Sequence, residues 1–431
     1  MGTKQASPRV ALTVVTAMFF MWGFITSLND VLIPHLKAVF SLNYAQSMLV
    51  QFTFFGAYFV VSLPAGKVVA HFGYRTSIVM GLAVCGIGAL LFYPAALLPS
   101  YPVFLLAFFT LASGITLLQV AANAYVSLLG EPRQAASRLN LAQAFNSLGT
   151  TLAPMFGGAL ILSGVEAAVA AMEKLPVAEQ AAIRLQQAQM VQGPYIGLAL
   201  ALFALAAIVF AFHLPAVAAA EGAEADRLSF GEALRHRHLR LGVIAIFLYV
   251  GAEVSIGSFL INYIAEPHIG NLTVAAAAFY VTLYWGGAMV GRFIGAALLR
   301  QADPRKVLGA CAVAATLLLA VTMGTDGSIA VWAVVAIGLF NSVMFPNIFT
   351  FGIEGMGALT GKASSLLIMA IVGGAVVPLL QGVLADSMGV QLSFVLPLLC
   401  YLYIAYYGYR GSRVEGAVQH DGSAAAPAAP H

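Results

Sequence analysis

Two glycine-rich apolar stretches, FNSLGTTLAPMFGG at residues 145–158 and MAIVGGAVVPLLQG at residues 369–382, match each other in register. The matched positions are Phe145 with Met369, Gly149 with Gly373, Pro154 with Pro378, and Gly158 with Gly382. Glycine lets a helix approach a neighbour closely, and proline favours a bend, so a shared spacing of the two indicates a shared helix geometry. The match predicts that one structural unit occurs twice in the chain.

A second pair of segments supports the same repeat. FFMWGFITSL at 19–28 lies over FLYVGAEVSI at 247–256, and both pairs occur in the same order along the chain. Parallel repeats of six membrane spans indicate one class of transporter, in which the substrate binds near the midplane between the halves. The alternative is chance recurrence of glycine and proline in glycine-rich membrane helices.

The composition is that of an integral membrane protein. Of the 431 residues, 61% are hydrophobic and 9% are charged, and the mean hydropathy is +0.91. Soluble domains carry about 25% charged residues. The net charge of +3 is too small to indicate a nucleic-acid partner.

Stretches of about 20 apolar residues predict an all-α membrane protein with twelve transmembrane helices in two six-helix pseudo-repeats. The predicted spans are 10–38, 45–70, 76–98, 102–129, 136–163, 194–214, 240–265, 273–300, 306–323, 329–353, 360–385 and 390–410. The predicted domains are an N-terminal six-helix half at 1–214, a cytoplasmic linker at 215–239, a C-terminal six-helix half at 240–411 and a disordered tail at 412–431. Residues 165–192 are predicted to form an external loop with helical propensity.

Lysine and arginine in short loops predict the orientation. With the N-terminus inside, only Lys37, Lys174 and Arg184 of the 20 basic residues fall on the outer side. Both termini are therefore expected in the cytoplasm.

Two acids lie at membrane depth, one in each half. Asp30 lies in FFMWGFITSLNDVLIPHL (19–36), and Glu253 lies in the seventh span. Ionisable residues within the membrane are rare and mark substrate or ion pathways. Both are predicted to be ion-coupling residues. For Glu253 a structural ion pair with Arg292 in the eighth span is the alternative.

Amides at membrane depth predict a polar cavity. Gln119 and Asn123 are four residues apart on one helix face, and Gln143 and Asn146 are three apart on another. Sugar sites combine amides and carboxylates with an aromatic stacking partner. The predicted substrate-binding residues are Asn29, Gln119, Asn123, Gln143, Asn146, Asn341, Glu253 and Trp285, with Trp22 as a second candidate for stacking. Alternatively, these amides join helices by interhelical hydrogen bonds.

Other chemistry is not indicated by the sequence. Cys85, Cys311 and Cys400 lie at unrelated positions in apolar spans, which is typical of core residues rather than disulfides, metal ligands or a nucleophile. The chain has none of the motifs GxSxG, HExxH or Walker A, so an enzyme is not expected. No cofactor is predicted.

The two six-helix halves and the segment GKVVAHFGYR (66–75) resemble the major facilitator superfamily, which implies its fold. The match in this segment is imperfect, because the acidic residue that the family carries four positions after the glycine is Ala70 here, while Gly73 and Arg75 are in place.

A narrower resemblance covers nearly all of residues 10–410. The motifs that resemble the fucose:proton symporter family, and within it the bacterial glucose/galactose transporters, are FFMWGFITSLNDVLIPHL, LLQVAANAYVSLLG, SRLNLAQAFNSLGTTLAP, FLYVGAEVSIGSFL, YWGGAMVGRFIG and IVGGAVVPLLQG. The resemblance implies proton coupling at Asp30 and sugar binding at Gln143 and Asn146. Fucose symporters carry a glutamate at the position of Gln119, whereas glucose/galactose members carry the acid that matches Glu253.

Together, these features predict a secondary active transporter that imports a hexose of the glucose/galactose type by proton-coupled alternating access. The alternatives are sodium coupling, an uncoupled sugar uniporter and a non-transporting sugar sensor. The expected partners are a small-molecule sugar and the lipid bilayer. The protein is expected to act as a monomer in the bacterial inner membrane.

Overall fold

The computed structural model describes residues 8–40, 44–97, 99–157, 177–212, 215, 228–272 and 274–414. Every regular element in these residues is helical. This follows from the composition, because a helix satisfies its own backbone hydrogen bonds where no water is available. The helices are α1 (Pro8–Phe40), α2 (Tyr44–Leu97), α3 (Tyr101–Leu128), α4 (Ala135–Gly157), α5 (Val177–Gln189), α6 (Gln192–Ala211), α7 (Phe230–Ala233), α8 (Arg237–Ala265), α9 (Val274–Leu298), α10 (Pro304–Gly324), α11 (Gly327–Asn341), α12 (Met344–Ile353), α13 (Thr360–Met369), α14 (Gly373–Met388), α15 (Val390–Ser393) and α16 (Val395–Tyr406).

Within the described residues, each predicted span is mostly helical. By length and composition alone, nine helices of the described part of the chain are long and apolar enough to cross a membrane. One of them, Phe52–Leu97, contains most of the second and most of the third predicted span. The two spans are separated inside α2 by Gly73, whose φ of 74° favours glycine. The count of twelve spans is consistent with these helices and stays a prediction.

Two predicted spans are interrupted. The tenth span is built from α11 and α12, with a break at Ser342 and Val343. The eleventh span is built from α13 and α14, joined by a 3₁₀ turn at Ala370–Val372. Breaks in membrane helices free backbone carbonyls, which need other donors.

Glycine allows two pairs of helices to cross in direct backbone contact. Where α1 crosses α4, a Cβ on Gly23 would overlap the Asn146 carbonyl, and a Cβ on Gly149 would overlap the Phe20 carbonyl. Where α8 crosses α14, a Cβ on Gly373 would overlap the Phe247 carbonyl. These two crossings involve the segments that the repeat aligns, so the repeated sequence forms a repeated contact.

Four hydrogen bonds between helices α1–α6 and helices α8–α16 lie at one end of the bundle, where α4 and α13 begin. We call this the closed end. The bonds are Ser137 Oγ to the Ala296 carbonyl (2.5 Å), Ser364 Oγ to the Val120 carbonyl (2.6 Å), Ser365 Oγ to the Ser62 carbonyl, and Asn140 Nδ2 to Asn347 Oδ1 (3.3 Å). They pair α4 with α9 and α12, and α13 with α3 and α2.

Two connections are described in part. In the predicted external loop, α5 is held against α1 by a contact of 3.0 Å between His35 Nε2 and the Gln187 carbonyl. In the linker, Ser229 and Glu232 form a capping box at the start of α7, and these hydrogen bonds lower the pKa of the Glu232 carboxyl. Residues 216–227 of the linker and the predicted disordered tail from residue 415 lie outside the described residues.

Gly149→Ala tests the crossing of α1 and α4. The added methyl group meets the Phe20 backbone, so we expect overpacking to cost about 1–3 kcal/mol and to lower the melting temperature in detergent. Gly286→Ala is the matched control, because that glycine lies in α9 with open space around a built Cβ. Equal melting temperatures for the two variants would contradict the close crossing.

Candidate functional site

A polar cavity of about 130 Å³ lies between the helices of the two predicted halves. It is lined by Trp22, Gln119 and Gln143 from α1, α3 and α4, and by Glu253, Arg292 and Phe345 from α8, α9 and α12. Its walls thus combine two neutral amides, one acid, one base and two aromatic rings. We call it the central cavity.

On the side of the second half, Glu253 is 9% exposed and held by two neighbours. The Tyr249 hydroxyl donates to its Oε1 at 2.7 Å. Arg292 Nη2 lies 3.9 Å from the same oxygen, which is too long for a hydrogen bond. Oε2 carries neither contact. Because Tyr249 precedes Glu253 by four residues, one face of α8 presents both groups.

Behind Glu253 lies a cluster of tyrosines around Asn341. Asn341 Nδ2 donates to the Tyr284 hydroxyl at 2.7 Å, and its Oδ1 accepts from the Tyr401 hydroxyl at 2.6 Å. Its backbone carbonyl lies 3.1 Å from the Tyr249 hydroxyl, whose single proton has its shorter contact with Glu253, and the Tyr284 hydroxyl donates to the Glu253 carbonyl at 3.3 Å. All four side chains are buried. The cluster fixes the backbone and side chain that present the carboxylate.

On the side of the first half, the amides are hydrogen-bonded to one another and to a tyrosine. Gln119 Nε2 donates to the Tyr58 hydroxyl at 2.6 Å. Gln143 Nε2 donates to Asn123 Oδ1 at 3.4 Å. Asn123 Nδ2 is buried without a partner among the described residues. Buried polar groups are normally paired, and this unpaired donor belongs to the amide that Gln143 contacts from the cavity wall.

Arg292 connects the two walls. Its Nη1 donates to Ser147 Oγ on α4, and its Nε lies 3.4 Å from the Ser342 carbonyl at the break between α11 and α12. The break therefore supplies an acceptor to the guanidinium, and the Asn341 carbonyl beside it lies 3.1 Å from the Tyr249 hydroxyl.

Some of the predicted substrate-binding residues line or adjoin the central cavity, and others join helices near it. Gln119, Gln143 and Glu253 line the central cavity, and Asn123 contacts one of them. Asn341 lies one layer behind, whereas Asn146 Nδ2 donates to the Phe19 carbonyl at 3.0 Å, joining α4 to α1.

The remaining predicted residues lie away from the cavity or outside the described side chains. Trp285 is 38% exposed and contacts Tyr284 edge-on, with its ring beside Gly257. Asn29 and Asp30 belong to α1, but their side chains lie outside the part of the chain that the structure describes. Their predicted roles stay predictions.

Sequence reasoning missed several groups at or near the cavity. Tyr58, Phe345 and the tyrosines around Asn341 are common residue types in apolar helices and carry no motif. The signal available for Tyr249 was its spacing of four from Glu253. Arg292 was considered only as a partner of Glu253, because Ser147 lies on a distant segment.

A second cavity, of about 370 Å³, lies between α1, α4 and α6. Its lining side chains are all apolar, with Phe24 and Phe156 in edge contact at 5.6 Å. It is larger than the central cavity but offers no side-chain hydrogen-bonding group. Of these two cavities, the central cavity is therefore the one whose side chains can form hydrogen bonds with a polar ligand.

Comparison with known proteins gives consistent results. The sequence profile of the Major Facilitator Superfamily matches residues 14–375. A "Glucose/galactose transporter" of Brucella abortus is 55% identical over 411 residues, covering 95% of this chain and 96% of the relative. The "L-fucose-proton symporter" of Escherichia coli is 33% identical, covering 92% of this chain and 91% of the relative.

A solved structure has the same fold. The crystal structure of the major facilitator transporter FucP in the outward conformation matches with a TM-score of 0.87 and 32% identity. The match covers 94% of this chain and 99% of that one. The fold predicted from the sequence is thereby confirmed.

Asn341→Ala tests the tyrosine cluster. The substitution leaves the buried Tyr401 hydroxyl without its acceptor, at about 1–3 kcal/mol for an unsatisfied group, and removes one of the two hydrogen bonds of the Tyr284 hydroxyl. We expect a clearly lower melting temperature in detergent. Thr110→Ala serves as a control, because that exposed hydroxyl bonds only within its own helix. A variant as stable as the control would show that the cluster does not depend on Asn341.

Proposed function

This chain belongs to the major facilitator superfamily, and we propose that it imports a hexose, glucose or galactose, together with a proton. The observation that carries the proposal is the central cavity, whose polar walls come from both halves of a fold that works by alternating access. The names of the relatives, a glucose/galactose transporter and a fucose-proton symporter, support the substrate class. The protein is a transporter rather than an enzyme.

The chemistry of the cavity suits a neutral sugar. Each sugar hydroxyl both donates and accepts, and Gln119 and Gln143 offer both functions in their amides. Glu253 supplies acceptors and Arg292 supplies donors, and their opposite charges leave no excess charge to be met by the ligand. Trp22 supplies an aromatic wall of the kind on which sugar rings stack.

Asp30 is our proposed coupling acid, from its position in the first span. Protonation from outside removes the charge, and a neutral acid costs less to bury than a carboxylate. Release of the proton inside then resets the carrier. A proton-motive force of about 150 mV is worth ~3.5 kcal/mol per charge, which supports roughly 300-fold accumulation at one proton per sugar. A sodium ion at Asp30 and Asn29 is the alternative that the sequence leaves open.

We place the protein in the bacterial inner membrane as a monomer, with both termini in the cytoplasm. The closed end is then cytoplasmic, as an outward-facing transporter requires. This agrees with the similarity to FucP in its outward conformation. Residues 1–214 and 240–411 are the two halves that rock against each other in this proposal, joined by the linker 215–239.

Uptake of labelled hexoses into proteoliposomes tests the proposal. We expect accumulation of glucose or galactose that requires a proton gradient and not sodium. Asp30→Asn keeps the shape of the side chain but releases no proton, so it should abolish accumulation while sugar counterflow persists. Undiminished accumulation by this variant would overturn the assignment of Asp30.

The same assay separates the alternatives. Accumulation that follows a sodium gradient would identify a sodium symporter. Equilibration without accumulation under either gradient would identify a uniporter. Sugar binding without any flux would identify a sensor.

Gln143→Ala tests the sugar site. Loss of one hydrogen-bonding partner from the ligand should weaken glucose binding by about 5- to 150-fold, corresponding to about 1–3 kcal/mol. Titration calorimetry of the detergent-purified variant measures this. Unchanged affinity would remove Gln143 from the site.

Asn146→Ala, measured in parallel, separates its two roles. A comparable loss of affinity would retain Asn146 among the sugar ligands. A lower melting temperature with normal affinity would leave it only the contact between α1 and α4.

A further inference from the structure

Arg292 both lines the central cavity and makes a hydrogen bond between the halves. The four hydrogen bonds of the closed end are made by residues outside the lining of the central cavity. The bond from Arg292 Nη1 to Ser147 also crosses between the halves, and Arg292 lines the cavity. This contact therefore joins the cavity wall to the interface that must separate when the closed end opens.

The nitrogen atoms of the Arg292 guanidinium face acceptors on both halves. Nη1 is bonded to Ser147 on α4, whereas Nε and Nη2 face the Ser342 carbonyl at 3.4 Å and Glu253 Oε1 at 3.9 Å. Both of the latter acceptors lie in the same half of the chain as Arg292. The distance from Arg292 Nη2 to Glu253 Oε1 is about 1 Å longer than that of a charge-assisted hydrogen bond.

Separation of the halves imposes a constraint on this charge. An arginine side chain does not lose its proton in a protein, and a buried charge left without a partner is strongly destabilising. When α4 moves away from α9, Arg292 loses its hydrogen bond to Ser147. Glu253 stays within reach, because α8 and α9 belong to the same half.

We propose that Arg292 is a positioning residue for the transport cycle, which exchanges its hydrogen bond to Ser147 for a closed ion pair with Glu253 as the closed end opens. The exchange gives the guanidinium a hydrogen-bonding partner in both conformations. It also means that the Glu253 carboxylate at the cavity is paired with Arg292 more closely in the open form than in the closed form. This inference rests on the alternating-access function proposed above.

Electron–electron double resonance on the full-length protein tests the exchange. Spin labels at Gln134→Cys and Gln301→Cys report the separation of the halves at the closed end, in a background with the three native cysteines replaced by alanine. Both positions are exposed and lie beside α4 and α9. The ratio of long to short distances measures opening without added sugar.

We expect Ser147→Ala to raise this ratio about tenfold, because a charge-assisted hydrogen bond is removed from the closed form alone. Glu253→Gln removes the charge with which Arg292 pairs in the open form. Adding it to Ser147→Ala should therefore bring the ratio back towards that of the unsubstituted protein. Thr151→Ala is the matched control, since that hydroxyl lies one turn along α4 and also contacts α9, through Met289. The control should leave the ratio unchanged.

Two results would overturn the proposal: a ratio in Ser147→Ala equal to that of the control, or a double variant as open as Ser147→Ala. Melting temperatures in detergent verify that each variant is folded. Glucose calorimetry on the same samples separates the two hypotheses. Failure to bind sugar with an intact distance response would overturn the proposed substrate, not the exchange at Arg292.

Discussion

Close backbone contact at glycine is the constraint on which this structure depends. In a bilayer, lipid tails are as apolar as leucine, so helices associate through packing and hydrogen bonds rather than by escaping water. Gly149 in α4 and Gly373 in α14 let each helix touch the backbone of α1 or α8 directly. These crossings set the positions of Trp22 on α1 and Glu253 on α8. The cavity is therefore positioned by residues that have no polar group of their own.

The polar groups of the bundle serve three different purposes. The serines at the closed end hold the halves together, and the tyrosines around Asn341 hold helices within the second half. Beside the cavity, Asn123 Nδ2 has no partner among the described residues, and Arg292 Nη2 lies 3.9 Å from Glu253 Oε1. Unsatisfied hydrogen-bonding capacity at a membrane-buried site is what a polar ligand needs in order to bind.

The sequence was sufficient for the helices and for the repeat, because length, apolarity and glycine spacing are local properties. It also located Gln119, Gln143 and Glu253, which are polar groups where apolar ones would be expected. It could not separate these from Asn146 and Asn341. An amide that contacts a carbonyl of α1 and an amide that faces a cavity have the same local sequence character, and only their distant partners differ. The pairing of Arg292 with Ser147 was missed for the same reason.

The hydrogen bonds at the closed end have an asymmetry with an evolutionary consequence. Three of them run from a serine hydroxyl, at Ser137, Ser364 or Ser365, to a main-chain carbonyl. A main-chain acceptor remains whatever side chain its residue carries. Mutation at Ala296 or Val120 therefore leaves the acceptor in place, while mutation of a serine removes the donor. Natural variation in this interface should accordingly differ between donors and acceptors, and be broad at the residues whose backbone accepts and narrow at the three serines.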